Sequence, residues 1–551
     1  MKNLLPGIAL LLLSKISFCQ QAYWQQQVNY DISVTLDTAA NTLDGSVKME
    51  YYNNSPDTLH FIWIHLWPNA YKNDRTAFSE QQLQIGNTGF YFSNSEERGY
   101  INRLNFTVDN ISAATTDHPQ HQDIVKLLLP HPLIPNGKIN IQTAFHVKLP
   151  KQFSRSGVVE NSYQITQWYP KPAVYDKKGW HEMPYLELGE FYSEFGNFTV
   201  DISAPEDLII AASGEKTRET ISNNIKTTTY TLNNTHDFAW FASKDFLVQQ
   251  DTLQLPSKLI NVFAYYYKKD EKIWQNSIRY IKRAILSKSG WLGEYPYNNV
   301  SVVAKKGSSD GGMEYPTITL VSTPENEKHL DFLINHEVGH NWFYAIIGSN
   351  ERAFPWMDEG MNTYYDNRYL DQYYNSNISY LNYQSTFLKK RFPDDFSALG
   401  IGTMAAIKKD QPIETSSGDF STINYGLMAY GKAGKWMKML EDKLGVGLFD
   451  KAMQEYYNKW KFKHPQPEDF KQSIEEASNS NLDAIFSLLH KKGSLDSYKP
   501  KKLKLTSFFN FKETDKYHYI SIMPALGFNQ YDKFMAGVLL HNYSLPPQKL
   551  Q

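Results

Sequence analysis

The chain has 551 residues, 41% of them hydrophobic and 21% charged, with a formal net charge of −2. That length exceeds what one hydrophobic core organises, so several domains are expected. The near-neutral balance argues against a nucleic-acid partner recruited by charge, and the 37 Tyr point to aromatic-rich sheets.

Residues 1–19 read as an export signal. Lys2 is basic, Leu4 to Leu13 form an apolar run too short for a comfortable membrane span, and Ser17 and Cys19 are small residues before a cut at Gln20. The expected destination is periplasmic, secreted or membrane-associated. Acylation of Cys19 is the alternative, against which bulky Phe18 stands. Cys19 is the only cysteine, so the processed chain has no disulfide and no thiol nucleophile, and any metal must be held by nitrogen and oxygen.

In the first expected domain, 20–246, the hydrophobic period is two from Tyr30 to about Phe246. Tyr30, Ile32, Val34 and Leu36 alternate with polar residues, as do Val47, Met49 and Tyr51 before the turn at Asn53-Asn54-Ser55-Pro56. Phe61–Ile64, Phe198–Ile202 and Thr227–Leu232 continue the style, so an antiparallel β-domain is expected here. In the second expected domain, 247–493, the period shifts after Tyr267: Ile273, Trp274, Ile278, Ile281, Ala284 and Ile285 mark an amphipathic helix, and Asn299–Ala304 a short apolar strand. A Gly-rich stretch then leads to Met313-Glu314-Tyr315-Pro316. Thr323-Pro324 reads as a helix opening, with further helices expected at 356–370, around Trp436 and Leu440, and at 452–460 and 470–477. Residues 494–551 begin as a basic, Pro-containing linker. Tyr517–Met523 and Phe534–Leu540 then alternate like strands. This tail fits either an ordinary β-segment packed on the preceding domain or the opening strands of an outer-membrane barrel.

The most informative motif is His336-Glu337-Val338-Gly339-His340, followed after eighteen residues by Glu359. On a helix the two histidines are i and i+4 and project from one face. Two imidazoles and a carboxylate leave the fourth position of one Zn2+ per chain open, as catalysis requires. Glu337 is placed to act on a water there. Phe332, Leu333, Val338, Phe343 and Ile347 give the helix a core-facing side. Gly339 costs the helix roughly 1 kcal/mol relative to Ala, which close packing at that point would explain. The reading from the residues alone is a zinc hydrolase.

These residues, with Glu359 in Trp356-Met357-Asp358-Glu359-Gly360, resemble the gluzincin aminopeptidases of peptidase family M1, the group of aminopeptidase N and leukotriene hydrolase. Gly311-Gly312-Met313-Glu314-Tyr315 looks like the Gly-x-Met-Glu-Asn exopeptidase motif, and Tyr430-Gly431-Lys432-Ala433-Gly434 like the Tyr-x-Lys-Gly motif. The N-terminal β-region, with Leu66-Trp67-Pro68-Asn69-Ala70-Tyr71, is similar to the family's saddle domain. The likeness covers about residues 25–490.

It implies a multidomain α+β fold: a β saddle, a thermolysin-like, mainly helical catalytic domain, and a short β-like tail. It also implies an aminopeptidase acting on peptides with a free N-terminus. His336, His340 and Glu359 would hold zinc, with Glu337 as general base and Tyr430 as donor to the oxyanion; Tyr425 competes for that role. Glu314 would anchor the substrate amine, Gly311 and Gly312 would let backbone approach the peptide, and Gln167 would assist at the amine. The chain departs from the pattern at Tyr315, at Gly312 where Ala is usual, and at Ala433-Gly434 for Gly-Ala. A thermolysin-like endopeptidase shares the metal pattern but needs no amine anchor. A non-catalytic scaffold on the same frame is the remaining alternative.

Overall fold

The computed structural model describes residues 23–307, 311–374, 385–393, 396–495 and 500–547. The expected export signal lies outside them. Among the described residues no helix is long and apolar enough to cross a membrane.

The alternating strands of the N-terminal half assemble as their period demands. Gln27–Asp37 pairs antiparallel with Thr42–Tyr52, and that with Lys138–Lys148. On its other side Gln27–Asp37 runs parallel to Gly196–Pro205, followed by Ile225–Thr235 and Glu215–Ser222. Tyr30, Ile32, Val34 and Leu36 face one apolar core with Val47, Met49, Phe198, Val200 and Trp168. Smaller sheets carry the chain from there to the second domain.

A five-stranded sheet then begins. Its order is Phe246–Gln254, Leu259–Tyr267, Asn299–Ala304, Ile318–Val321 and Gly312–Tyr315. The strand Asn299–Ala304 is buried throughout, as a central strand with a parallel neighbour on each side requires. The edge strand Gly312–Tyr315 is antiparallel to its neighbour and carries Glu314. Helices Ser277–Trp291, Glu327–His340, Glu359–Tyr374, Ala433–Leu444, Val446–Trp460 and Pro467–Ser478 share one core with this sheet.

The start of the metal-motif helix differs from the sequence-based expectation, and its end is not a plain α-helix. The metal-motif helix opens at Glu327, not at Thr323-Pro324, because the Asn326 side chain accepts the His329 amide at 2.9 Å and caps it. After His340 the chain continues through a π-helical turn, Asn341–Ile346, rather than as α-helix.

In the tail, the linker resolves into a strand, Lys502–Ser507, parallel to Tyr517–Asn529, which pairs antiparallel with Lys533–His541. Arg391 binds Ser507 Oγ at 2.8 Å, and Phe387 and Phe392 pack on Phe508, Phe509 and Phe511. The tail is thus seated on the helical domain, yet Leu503, Leu505, Leu526, Phe528, Phe534 and Val538 stay largely exposed.

Candidate metal centre and substrate site

The i, i+4 spacing of His336 and His340 brings their Nε2 atoms 3.3 Å apart. Glu359, the first residue of the next long helix, places Oε2 3.5 Å from His336 Nε2 and 3.4 Å from His340 Nε2. Each imidazole turns its other nitrogen to a carboxylate: His336 Nδ1–H donates to Asp366 and His340 Nδ1–H to Asp358, both at 2.6 Å. That fixes the tautomer, so both Nε2 atoms present lone pairs to the same point as a buried carboxylate oxygen. These three atoms lie close enough together to hold one metal ion. Ligands about 2.05 Å from a tetrahedral Zn2+ lie about 3.3 Å apart, so the triangle has the right size for that ion.

Gly339 is explained by close packing. A Cβ there would lie 2.1 Å from Asn362 Oδ1 and 2.8 Å from Lys288 Cε. Asn362 uses this approach to donate to the His336 carbonyl at 2.8 Å, tying the two ligand-bearing helices together.

Glu337 is buried, and burial raises its carboxyl to about 7, with His336 and His340 opposing the rise. Tyr430 lies in a second π-helical segment, Tyr425–Lys432, and its hydroxyl donates to Glu359 Oε1. Tyr425 stacks edge-on against Tyr430 at 5.8 Å, and its hydroxyl has no partner among the described residues. Of the two candidates, Tyr430 is the one whose hydroxyl touches a metal ligand. Ala433-Gly434 lies where this segment meets the Glu359 helix: a Cβ on Gly360 would collide with Ala433. The reversed order is therefore a packing feature.

Glu314 projects from the edge strand. One of its carboxylate oxygens and a ligand atom from each of His340, Asp358 and Glu359 all lie within 4.8 Å of one another. Its Oε1 is buried without a hydrogen-bond partner among the described residues. Burial raises this carboxyl well above its ordinary range; His340 opposes the rise, while Glu190, Asp358 and Glu359 add to it. Gly311 adopts φ +71°, and the space around its Cβ position is open.

Gln167 does not belong to this constellation. Its amide donates to Asp237 at 2.5 Å and accepts from Lys171 at 3.3 Å, inside a buried Lys171–Asp237 ion pair. Both ends of the amide are thereby committed, so the expected amine contact is corrected.

Two other acids lie within electrostatic reach of Glu314. Glu190 is paired with Arg155 at 2.7 Å through Oε1, while its Oε2 is buried and unpartnered. It rides on a segment clamped by two guanidinium groups. Arg155 donates to the Leu186 and Glu187 carbonyls, and Arg352 to those of Pro184 and Gly189. Glu351 is 1% exposed, with Oε2 also unpartnered. Neither acid sits in a motif, and only the fold brings them to Glu314. Asp358 and Asp366 had a readable signal: an acid beside Glu359, and another seven residues on along the same helix.

Residues 282–488 match the family model described as the peptidase family M1 domain. The chain carries a peptidase family M1 domain. Among curated relatives, aminopeptidase M1-B of Oryza sativa subsp. japonica is 22% identical over 301 residues, covering 51% of this chain and 32% of the rice protein. The alanine/arginine aminopeptidase of Saccharomyces cerevisiae is 22% identical over 328 residues, covering 56% of this chain and 37% of the yeast protein. The chain thus spans about a third of the length of the curated relatives it matches. Among solved structures, the M1 zinc metallopeptidase of Deinococcus radiodurans superposes with a TM-score of 0.57 at 15% identity, covering 86% of this chain and 96% of that one. A point mutant of that enzyme, bound to a Tyr-Ser-Ala substrate, gives 0.59, with 97% of that chain covered. The M1 metallopeptidase architecture therefore extends beyond the matched segment into the N-terminal β-domain.

Proposed function

We propose that this chain is a zinc aminopeptidase that removes N-terminal residues from peptides. The observation that carries the reading is Glu314: a buried carboxyl group with an oxygen unpartnered among the described residues, within 4.8 Å of metal-ligand atoms. Leaving such a group unpaired is costly, and a substrate ammonium is the partner that completes it. An anchor so close to the metal limits the peptide to one residue on its amino side. The aminopeptidase relatives and the M1 fold support the same reading.

His336, His340 and Glu359 would hold the ion, which when bound would supply Lewis acidity to activate a water for hydrolysis. Glu337 takes the proton from the attacking water and returns it to the leaving amine. Tyr430 shifts its hydroxyl hydrogen bond from Glu359 to the oxyanion, a contact typically worth about 3 kcal/mol. Glu314 holds the ammonium, with Glu190 within electrostatic reach. The endopeptidase alternative leaves Glu314 without a task, and the scaffold alternative leaves the whole ligand set without one.

The test is Glu314→Ala and Glu190→Gln assayed on matched free-amine and N-acetylated peptides. A charge-assisted contact of about 1.5–3 kcal/mol corresponds to a rise in KM of roughly 10- to 150-fold for the free amine with Glu314→Ala. Glu190→Gln should give a smaller rise. Equal effects on both substrates would remove the anchor and favour the endopeptidase.

The same proposal includes export, supported by the basic, apolar start of the sequence, and membrane association through the tail. The second rests on one sheet face. Ile522, Pro524, Leu526 and Phe528 pair with Leu540, Val538, Ala536 and Phe534, so eight apolar side chains share a side, Phe528 being 74% exposed. Carbonate extraction of membranes checks this: protein retained in the pellet supports the association, and protein wholly in the supernatant dismisses it.

A further inference from the structure

Lys288 is fully buried, and the mechanism above does not use it. It comes from the helix Ser277–Trp291, and its Nζ donates to Asn335 Oδ1 at 2.9 Å and to the Asn335 carbonyl at 3.3 Å. Asn335 in turn donates to Asp366 Oδ1 at 2.7 Å, and Lys288 Nζ lies 3.9 Å from that oxygen. The other oxygen of Asp366 accepts from His336 Nδ1. A continuous path thus runs from a buried ammonium through one amide and one carboxylate to a metal-binding imidazole.

Burying an ammonium costs several kcal/mol unless its partners repay it. Here the lysine stem fills the notch left by Gly339, inside the metal motif itself. The helix therefore gives up a Cβ at a motif position to admit this side chain and Asn362.

The two ligand histidines are treated unequally. His340 is 1% exposed and is fixed by burial; its partner Asp358 has one oxygen without a hydrogen bond. His336 is the more open ring, at 15%, and its partner Asp366 has both oxygens engaged. The additional hold is applied where packing is weaker.

We propose that Lys288 is a positioning residue for the metal centre, locking Asn335 and Asp366 so that His336 keeps its Nδ1–H inward and its Nε2 aimed at the ion. Lys288 touches neither substrate nor ion, and acts only through Asp366. This rests on the metal reading above.

The test uses the full chain with Lys288→Met, Asp366→Asn and the double variant. Zn2+ affinity is read by chelator competition, the ligand field by Co2+ absorption, and the fold by thermal unfolding of the metal-stripped protein. Loss of a residue supporting a metal ligand typically costs 10- to 100-fold in affinity. Lys288→Met should lose affinity in that range and alter the Co2+ spectrum while the stripped protein stays folded. The double variant should lose no more than Asp366→Asn alone. If methionine is not tolerated, Lys288→Gln, which keeps a donor, should show a smaller loss in the same direction. Unchanged or tighter binding in either Lys288 variant, or additive losses in the double variant, would overturn the proposal. Wild type that binds no stoichiometric Zn2+ would instead overturn the metal reading beneath it.

Discussion

Gly312 lies directly against Glu337: a Cβ built on Gly312 would sit 2.3 Å from Glu337 Oε1 and 2.4 Å from its Cδ. The Glu337 carboxylate occupies the space that the alanine usual at this motif position would fill. The departure seen in the sequence thus belongs to the placement of the general base as well as to the substrate's amino end.

Gly312→Ala should therefore push Glu337 off its position. General-base catalysis contributes roughly 10²- to 10⁴-fold, so kcat should fall by at least tenfold with little change in KM or thermal stability. Glu337→Gln is the reference: it should retain one Zn2+ and lose hydrolysis of an aminoacyl reporter. Wild-type kcat in Gly312→Ala would show that the base is not seated against the glycine, and turnover by Glu337→Gln would refute its role.

His236 joins the N-terminal β-domain to the metal-motif segment. Its Nε2–H donates to the Tyr344 carbonyl at 2.9 Å, in a fully buried setting. Burial lowers this imidazole from 6.5 to about 4, with the Tyr344 hydrogen bond opposing the shift. The folded state thus keeps it neutral where the unfolded state would protonate it. Stability from this group is complete above about pH 6.5 and is lost as pH falls toward 4. The full loss amounts to about 3 kcal/mol at most. Denaturant unfolding of metal-stripped wild type and His236→Gln across that window checks it: the variant should be less stable at pH 7.5 and show a shallower acid decline. Parallel curves would place the acid sensitivity elsewhere.

The sequence carried the metal site because its chemistry is local. The i, i+4 histidines need only a helix, and Glu359 follows at a fixed distance, so no tertiary knowledge was required. Strands such as Gln27–Asp37 were equally legible, since one face meets a core and the other does not. Glu190 and Glu351 were not, because they converge on Glu314 only through folding and an arginine clamp. Gln167 misled for the same reason: its short motif suits an amine contact, but Lys171 and Asp237 hold both ends of its amide. The helix start at Asn326 was missed because a Pro at the first turn is a weaker signal than a cap whose bond can be seen. The π-helical turns holding Tyr430 and following His340 leave no periodic mark in the sequence at all.

The central claim is one ion at the focus of His336, His340 and Glu359. Anomalous diffraction at the zinc edge from crystals of the zinc-loaded protein tests it most directly. One peak is expected, about 2 Å from the Nε2 atoms of both histidines and from a Glu359 carboxylate oxygen. A zinc-saturated crystal with no peak there, or with its peak bound by other side chains, would contradict the account.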